Sequence, residues 1–347
     1  MTPLQNERER VVQTLFPRGI PRLWCPLLTH YREDRSMDSE RIAAHIRHMR
    51  RWVSAFLAPG STGDGWELSP PEAERLLSFL LQEAERQDFM VMAGILRTEA
   101  GTVVPAIRDF LERFSDGDGN AAALARRRIC GFTVTPPKGA TLDQAVILAE
   151  LEAIAATGVP LSIYQLPQIT ENEMSPETVA RLTDRFPNIY LLKDTSGRDA
   201  VVRSDVDLGN LFLVRGAEGE YAGWSRAAGG PYDGFLLSTA NSFAAELGLM
   251  LQYLEEGERE AAEELSRRVT TAVEEIFTAA ADLPFGNPFA NANKAFDHHF
   301  AWGDDAPRIE PPMTHSGNRL PRELILAAGE ALSRQGLESG PGYMRKA

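Results

Sequence analysis

Three short stretches place reactive side chains at or near the ends of apolar runs. Ile189-Tyr-Leu-Leu-Lys193-Asp194 closes on a lysine. A primary amine held among apolar groups loses the hydration that favours its ammonium form, and a free amine is a nucleophile for carbonyl carbon. A lysine at a strand end can equally bend its head out to solvent, and position alone does not decide between the two. Ser162-Ile-Tyr164-Gln-Leu-Pro167 offers a phenol. It can carry protons to and from an imine or carbinolamine, or sit in the core with its hydroxyl on the backbone. Gly60-Ser61-Thr62-Gly63-Asp64 sets two hydroxyls between glycines. That is either a carboxylate cradle built with backbone N–H groups or an ordinary tight turn.

Such side chains are useful only if regular elements hold them together. Short β-rich runs recur at Leu23–Thr29, Ser54–Ala58, Met90–Leu96, Gly131–Thr135, Leu161–Tyr164, Tyr190–Lys193, Leu211–Val214 and Gly234–Leu237. Their hydrophobicity is continuous rather than alternating, which suits strands covered on both faces. Between them lie helical patterns with start signals: Ser69-Pro-Pro-Glu72, Ser175-Pro-Glu177 and, more weakly, Thr141-Leu-Asp143. Eight strand–helix units over residues 20–250 predict a (β/α)8 TIM barrel after an N-terminal segment at 1–19. An open doubly wound sheet is the competitor, but no G-x-G-x-x-G fingerprint or P-loop lysine accompanies the strands. A C-terminal helical extension at 251–335 follows, with helices expected near Glu255–Ala281, Pro288–Phe300 and Pro321–Gln335. Residues 336–347 read as a loose tail. In barrels of this type chemistry sits at the C-terminal ends of the strands, where Lys193, Tyr164 and the Ser61–Thr62 turn fall.

Taken together, GSTGD at 60–64, YQLP at 164–167 and LLKDTSG at 191–197 resemble the motifs of the dihydrodipicolinate synthase/N-acetylneuraminate lyase family. That family's patterns run G-[ST]-T-G-E, Y-N-x-P and [GL]-x-K-[ED]-x-[ST]-G, and the similarity extends over roughly residues 20 to 300. The resemblance implies a class I, Schiff-base-forming aldolase. Lys193 would form the imine with pyruvate or another 2-oxo acid, Tyr164 would carry protons above it, and Ser61 and Thr62 would hold the substrate carboxylate. It further implies that Gly216 is the family's glycine after the seventh strand. Leu236 would lend a backbone carbonyl near the lysine. A homo-oligomer, dimer or tetramer, is expected on the same ground.

Two departures bear on the substrate. Dihydrodipicolinate synthases resemble V-T-P-Y-Y-N after the fourth strand, where a tyrosine crosses into the neighbouring subunit. The present chain has Val134-Thr-Pro-Pro-Lys138-Gly. They also carry an arginine two residues after the Y-N-x-P proline, for the second substrate's carboxylate, where this chain has Ile169. Losing a charge-assisted contact forfeits roughly 1.5–3 kcal/mol per hydrogen bond. The expectation is therefore aldol condensation or cleavage outside lysine biosynthesis, on pyruvate or a 2-keto-3-deoxy sugar acid. Dehydration of such an acid on the same scaffold is the alternative, and a non-catalytic barrel that binds a small carboxylate is a third. Lys138 reads either as a substitute reader of substrate carboxylate or hydroxyl, or as a solvated loop lysine.

Bulk properties narrow the partners. The 347 residues carry a formal net charge of −13, which repels nucleic acid and anionic lipid. No run approaches the roughly 20 apolar residues of a membrane span, and the charged N-terminus lacks a signal-peptide pattern, so a cytoplasmic protein is expected. Cys25 and Cys130 lie in apolar stretches and read as buried thiols. Ser115-Asp-Gly-Asp-Gly-Asn120 begins like a calcium loop, but Arg127 stands where the twelfth-position glutamate belongs. His298 and His299, adjacent on a helix, point apart and are not expected to share a metal. The expected chemistry needs neither a metal nor a nicotinamide or phosphate cofactor.

Overall fold

A computed structural model describes residues 2–345. Eight parallel strands follow one another in chain order round a closed barrel: β1 (Leu23–Pro26), β2 (Ala55–Ala58), β3 (Met90–Ile95), β4 (Ile129–Val134), β5 (Leu161–Gln165), β6 (Ile189–Asp194), β7 (Phe212–Arg215) and β8 (Gly234–Leu236). Each coincides with one of the eight apolar runs to within a few residues. The expected (β/α)8 barrel with C-terminal helices is what forms.

The chain condenses into two compact units. The first takes the residues up to Arg22 together with Leu80–Ala217 and Pro231–Leu236, and so carries β3 to β8. Every residue of β4, β5 and β6 is buried, which is why these strands read as unbroken apolar runs. The N-terminal segment at 1–19 carries a helix. Pro3–Leu15 is a helix opened by a Thr2–Gln5 capping box, although Met1 lies outside the described residues. Its Arg8, only 1% exposed, donates to the carbonyls of Ile189 at 2.7 Å and Thr183 at 2.5 Å and to Asn210 Oδ1 at 2.8 Å. Those bonds replace the water a buried guanidinium has lost. Arg127, in the place of the missing calcium ligand, pairs with Asp116 at 2.6 Å.

The second unit takes Leu23–Phe79, Glu218–Gly230 and the chain from Leu237 onward. The extension begins earlier than 251, with Ala240–Glu256, and continues through Arg259–Ala281, Pro288–Trp302 and Arg322–Arg334. Asn287 caps Pro288–Trp302 through bonds from the Phe289 and Ala290 N–H groups, with proline at the first position. Residues 290–301 of that helix are all buried. Residues beyond Gln335 are not a loose tail: Leu337 is buried and the Tyr343 hydroxyl donates to Asp297 at 2.7 Å. Lys346 and Ala347 lie outside the described residues. No helix among the described residues is long and apolar enough to cross a membrane.

His298 and His299 point apart, as expected: each Nε2 donates to a backbone carbonyl, of Ala306 at 2.9 Å and of Ile325 at 2.7 Å. Burial pushes the His298 imidazole down to about 4 from an ordinary 6.5, and burial also lowers His30, His48 and His299. A depressed imidazole favours the neutral folded form. Its stabilisation is fully present above the unfolded value and disappears as pH falls towards the folded one. Urea unfolding should therefore show stability falling between pH 6.5 and about 4, with about 3 kcal/mol from His298 alone. A flat profile across that window would contradict the assignment.

Candidate active site

In the first unit, parallel pairing of β5 with β6 sets Tyr164 directly beside Lys193. Cross-strand partners share a face, and the lysine Nζ lies 4.1 Å from the centroid of the Tyr164 ring. Both side chains are buried, at 4% exposed for Lys193 and 2% for Tyr164, and among the described residues no carboxylate pairs with the amine. The lysine therefore does not bend out to solvent. It stands against an aromatic face within an apolar strand.

The loops after these strands are tied to one another. Thr195 donates from its N–H and from its hydroxyl to the Gln165 carbonyl, at 3.0 and 2.7 Å, and Gly216 N–H donates to the Asp194 carbonyl at 2.7 Å. Gly216 is needed for space: a Cβ there would stand 2.3 Å from Thr195 Cγ2 and 2.9 Å from Lys193 Cε. Asp194, pointing to the other face of β6, accepts from Ser196 N–H at 2.8 Å through Oδ1, while Oδ2 is buried with no hydrogen-bond partner among the described residues. Burial raises that carboxyl above the ordinary aspartate value. Leu236 ends β8 and is buried.

Lys138 is engaged with a carboxylate of its own. Its Nζ meets Glu171 at 3.0 Å, both side chains being about half exposed, so an incoming anion would compete with a carboxylate already in place. Ile169 is half-buried on the short helix Pro167–Thr170.

In the second unit, Ser61 and Thr62 open a single turn of 3-10 helix, Ser61–Gly63. The Trp66 indole donates to Ser61 Oγ at 2.8 Å, and Asn287 donates to the Ser61 carbonyl at 3.1 Å. An indole N–H only donates, so this bond occupies a hydroxyl lone pair and leaves the Ser61 proton available to an anion. The turn ends at Asp64, in the left-handed region with φ 61. Its carboxylate meets the Lys294 ammonium at 2.9 Å in a fully buried ion pair.

Also in this unit, His30, His45 and Asp297 bring their ligand atoms within 4.8 Å of one another, a grouping missed in the sequence. Asp297 already accepts from Arg41 at 2.8 Å and Tyr343 at 2.7 Å, and His45 Nε2 lies 2.6 Å from the Asn241 carbonyl. With a guanidinium on the carboxylate, the cluster is a hydrogen-bonded charge network rather than a vacant metal shell. Cys25 and Cys130 are buried thiols outside any disulfide.

Solved structures of low sequence identity share the fold. YagE, a prophage protein from E. coli K12 described as belonging to the dihydrodipicolinic acid synthase family and solved with pyruvate, is 19% identical. It aligns with a TM-score of 0.70 over 92% of this chain and 99% of its own. A 2-keto-3-deoxygluconate aldolase variant from Sulfolobus solfataricus, in complex with L-2-keto, 3-deoxy-galactonate, is 15% identical, with a TM-score of 0.69 over 91% and 96%. In sequence, the 4-hydroxy-tetrahydrodipicolinate synthase of Alcanivorax borkumensis is 26% identical over 264 residues, 74% of this chain and 83% of the relative. The enzyme of that name from Thioalkalivibrio sulfidiphilus is 25% identical over 316 residues, 88% and 97%. The model of the dihydrodipicolinate synthetase family matches residues 144–287, the stretch holding Tyr164, Lys193, Gly216 and Leu236.

In sequence and fold the chain resembles the dihydrodipicolinate synthetase family. Against the family pattern, Asp64 stands where G-[ST]-T-G is followed by glutamate, and the shorter acid is held by Lys294. That partner was missed because the only local signal was a lysine in a helical run of small, polar and aromatic residues, Ala-Asn-Ala-Asn-Lys294-Ala-Phe, with nothing to show that it is buried. Trp66, two residues past the motif, was missed because an indole beside a turn is usually packing.

Proposed function

We propose that this chain is a lyase of the dihydrodipicolinate synthetase type that forms a Schiff base between Lys193 and pyruvate or another 2-oxo acid and catalyses aldol condensation or cleavage. The observation that carries the reading is the buried Lys193 amine over the Tyr164 ring, 4.1 Å from its centroid and unpaired with any described carboxylate. The amine adds to the C2 carbonyl, and Tyr164 passes a proton to the oxygen, which leaves as water. In the cleavage direction the C3–C4 bond breaks, its electrons flow into the imine to give an enamine, and the C4 hydroxyl loses its proton as the aldehyde forms. Protonation at C3 and hydrolysis then release the 2-oxo acid. Ser61 and Thr62 are assigned to the carboxylate and Leu236 to a backbone carbonyl near the amine, on the motif. The Trp66 bond supports Ser61 as a donor. Pro137 and Ile169, in place of a tyrosine and an arginine, favour a keto-deoxy sugar acid over the dicarboxylate of lysine biosynthesis. A homo-oligomer, dimer or tetramer, belongs to the same reading.

Borohydride reduction in the presence of pyruvate, followed by intact mass and peptide mass spectrometry, tests this. An adduct on Lys193 is expected. An adduct only with longer 2-oxo acids directs the search to sugar acids, for cleavage or dehydration. No adduct with any 2-oxo acid overturns the reading and returns the carboxylate-binding barrel.

Gly216→Ala should lower the yield of that adduct. The new methyl must be relieved by moving Thr195 and Lys193, and displacing a reacting group by about 1 Å costs about a hundredfold in rate, with about 1–3 kcal/mol of stability lost to overpacking. Single-turnover trapping at the wild-type rate would show that the amine needs no such clearance.

A further inference from the structure

In the second unit the Ser61–Gly63 turn is tied down at three points. Thr29 Oγ1 donates to the Gly63 carbonyl at 2.8 Å. Asn287 donates to the Ser61 carbonyl at 3.1 Å, and Lys294 Nζ donates to Asp64 Oδ2 at 2.9 Å. Asn287 caps the helix Pro288–Trp302 and Lys294 lies on it, seven positions further on. Two turns of helix bring a side chain back to nearly the same face. Gly63 leaves no slack, because a Cβ there would stand 2.2 Å from the Leu27 carbonyl oxygen. The turn is thus fixed against this helix, with Asp64 two residues from Thr62 and three from Ser61.

Asp64 is 3% exposed and Lys294 0%. A charge so far from water acts at a low effective dielectric and is little screened by salt. Asp64 alone would therefore repel a carboxylate arriving at the neighbouring hydroxyls, which bring no positive charge of their own to offset it. Its charge demonstrably reaches beyond the turn. Burial first and Asp64 second raise the Glu67 carboxyl above the ordinary glutamate value, and Lys294 is among the groups that act the other way. The ammonium does more than satisfy a hydrogen bond: it removes the negative field from a turn that has to hold an anion.

Resting on the Schiff-base reading above, we infer that Lys294 is a positioning residue for the substrate carboxylate. Its ammonium cancels the Asp64 charge, so that the Ser61–Thr62 turn accepts a 2-oxo acid that an uncompensated aspartate would repel. Borohydride trapping at Lys193 over a range of concentrations separates binding from imine formation. The anionic probe is pyruvate, or the shortest 2-oxo acid that the wild type traps, and hydroxyacetone serves as a ketone without a carboxylate. In Lys294→Met the half-saturating concentration of the acid should rise about tenfold to hundredfold, at an unchanged limiting rate, with hydroxyacetone trapped as in wild type. Asp64→Asn breaks the same ion pair but keeps the ammonium, and asparagine tolerates the left-handed conformation at this position, φ 61. There the half-saturating concentration should stand at or below the wild-type value. An ion pair that is merely structural predicts both variants weakened and both probes affected alike, and either result overturns the inference. Acid binding in Lys294→Met equal to wild type also overturns it, while leaving the Schiff-base reading in place. No wild-type adduct with any 2-oxo acid removes that reading and the role of Lys294 together. If Lys294→Met folds poorly, Asp64→Asn decides alone: weaker binding of the acid there rejects the assignment.

Discussion

Lys193→Met should abolish the borohydride-trapped adduct and lower turnover by roughly ten-thousandfold or more, the scale seen when a covalent nucleophile is removed, while the fold survives. Methionine is close to lysine in length and belongs in an apolar strand, and Lys193 is already 4% exposed, so no cavity opens and no charge is stranded. Lys193→Arg gives the complementary control. It keeps a cation over Tyr164 but presents a guanidinium that does not lose its proton and cannot form an imine. If Lys193 served only as an electrostatic anchor for an anion, arginine would retain much of the activity; on the imine reading it is as inactive as methionine. The trapping site is easy to assign, because the chain holds four lysines: Lys138, Lys193, Lys294 and Lys346. An adduct that persists in Lys193→Met and maps to Lys294 would reject the assignment outright.

Asp297→Ala should cost about 3–5 kcal/mol of unfolding free energy, because it leaves a buried cation without its counterion. Arg41 donates to Asp297 at 2.8 Å, with side-chain exposures of 11% and 0%. The aspartate also accepts from Tyr343 at 2.7 Å and faces His45 at 3.2 Å. Burial, the largest single influence, would raise its carboxyl; His45, Arg41, His30 and the Tyr343 hydroxyl together outweigh it and hold the carboxyl well below the ordinary aspartate value. It is thus ionised throughout the neutral range, and the charge removed by the mutation is a real one. Asp297→Asn, which keeps the shape and loses the charge, should fall between. The double variant Arg41→Met, Asp297→Leu should recover most of the loss, since an apolar pair of similar volume commonly replaces a buried ion pair without penalty. Urea denaturation of the four proteins measures this. An Asp297→Ala protein within about 1 kcal/mol of wild type would mean the network contributes little.

The elements that could be read from the sequence are those whose cause is local. β6 is six buried residues in a row, and a lysine at its end is visible without knowing its neighbours. The barrel's order follows from repetition of that pattern, and Ser175-Pro-Glu177 marks its helix start because a cap acts within one turn. Long-range partners were not legible. In sequence Arg8 is one charge among several in a charged segment, and nothing local marks it for the carbonyls of Thr183 and Ile189. Tyr343, in a stretch rich in glycine, gave no hint that its hydroxyl would meet Asp297. Lys294 and Asp64 are 230 positions apart, and only the fold tells that the cation completes the Ser61–Thr62 turn. Trp66 was close at hand, yet its role depends on the direction of a single N–H bond.

Arg8 also sets an order of events during synthesis. Its partner carbonyl on Ile189 comes 181 positions later. At ribosomal rates of about 5–20 residues per second the interval is roughly 9–36 s. Through that interval the helix Pro3–Leu15 can form on its capping box, but its guanidinium has only water to bind. The strand that carries Lys193 supplies the missing acceptor. Its arrival ends the wait, so the same strand that presents the amine also locks the start of the chain into the barrel wall.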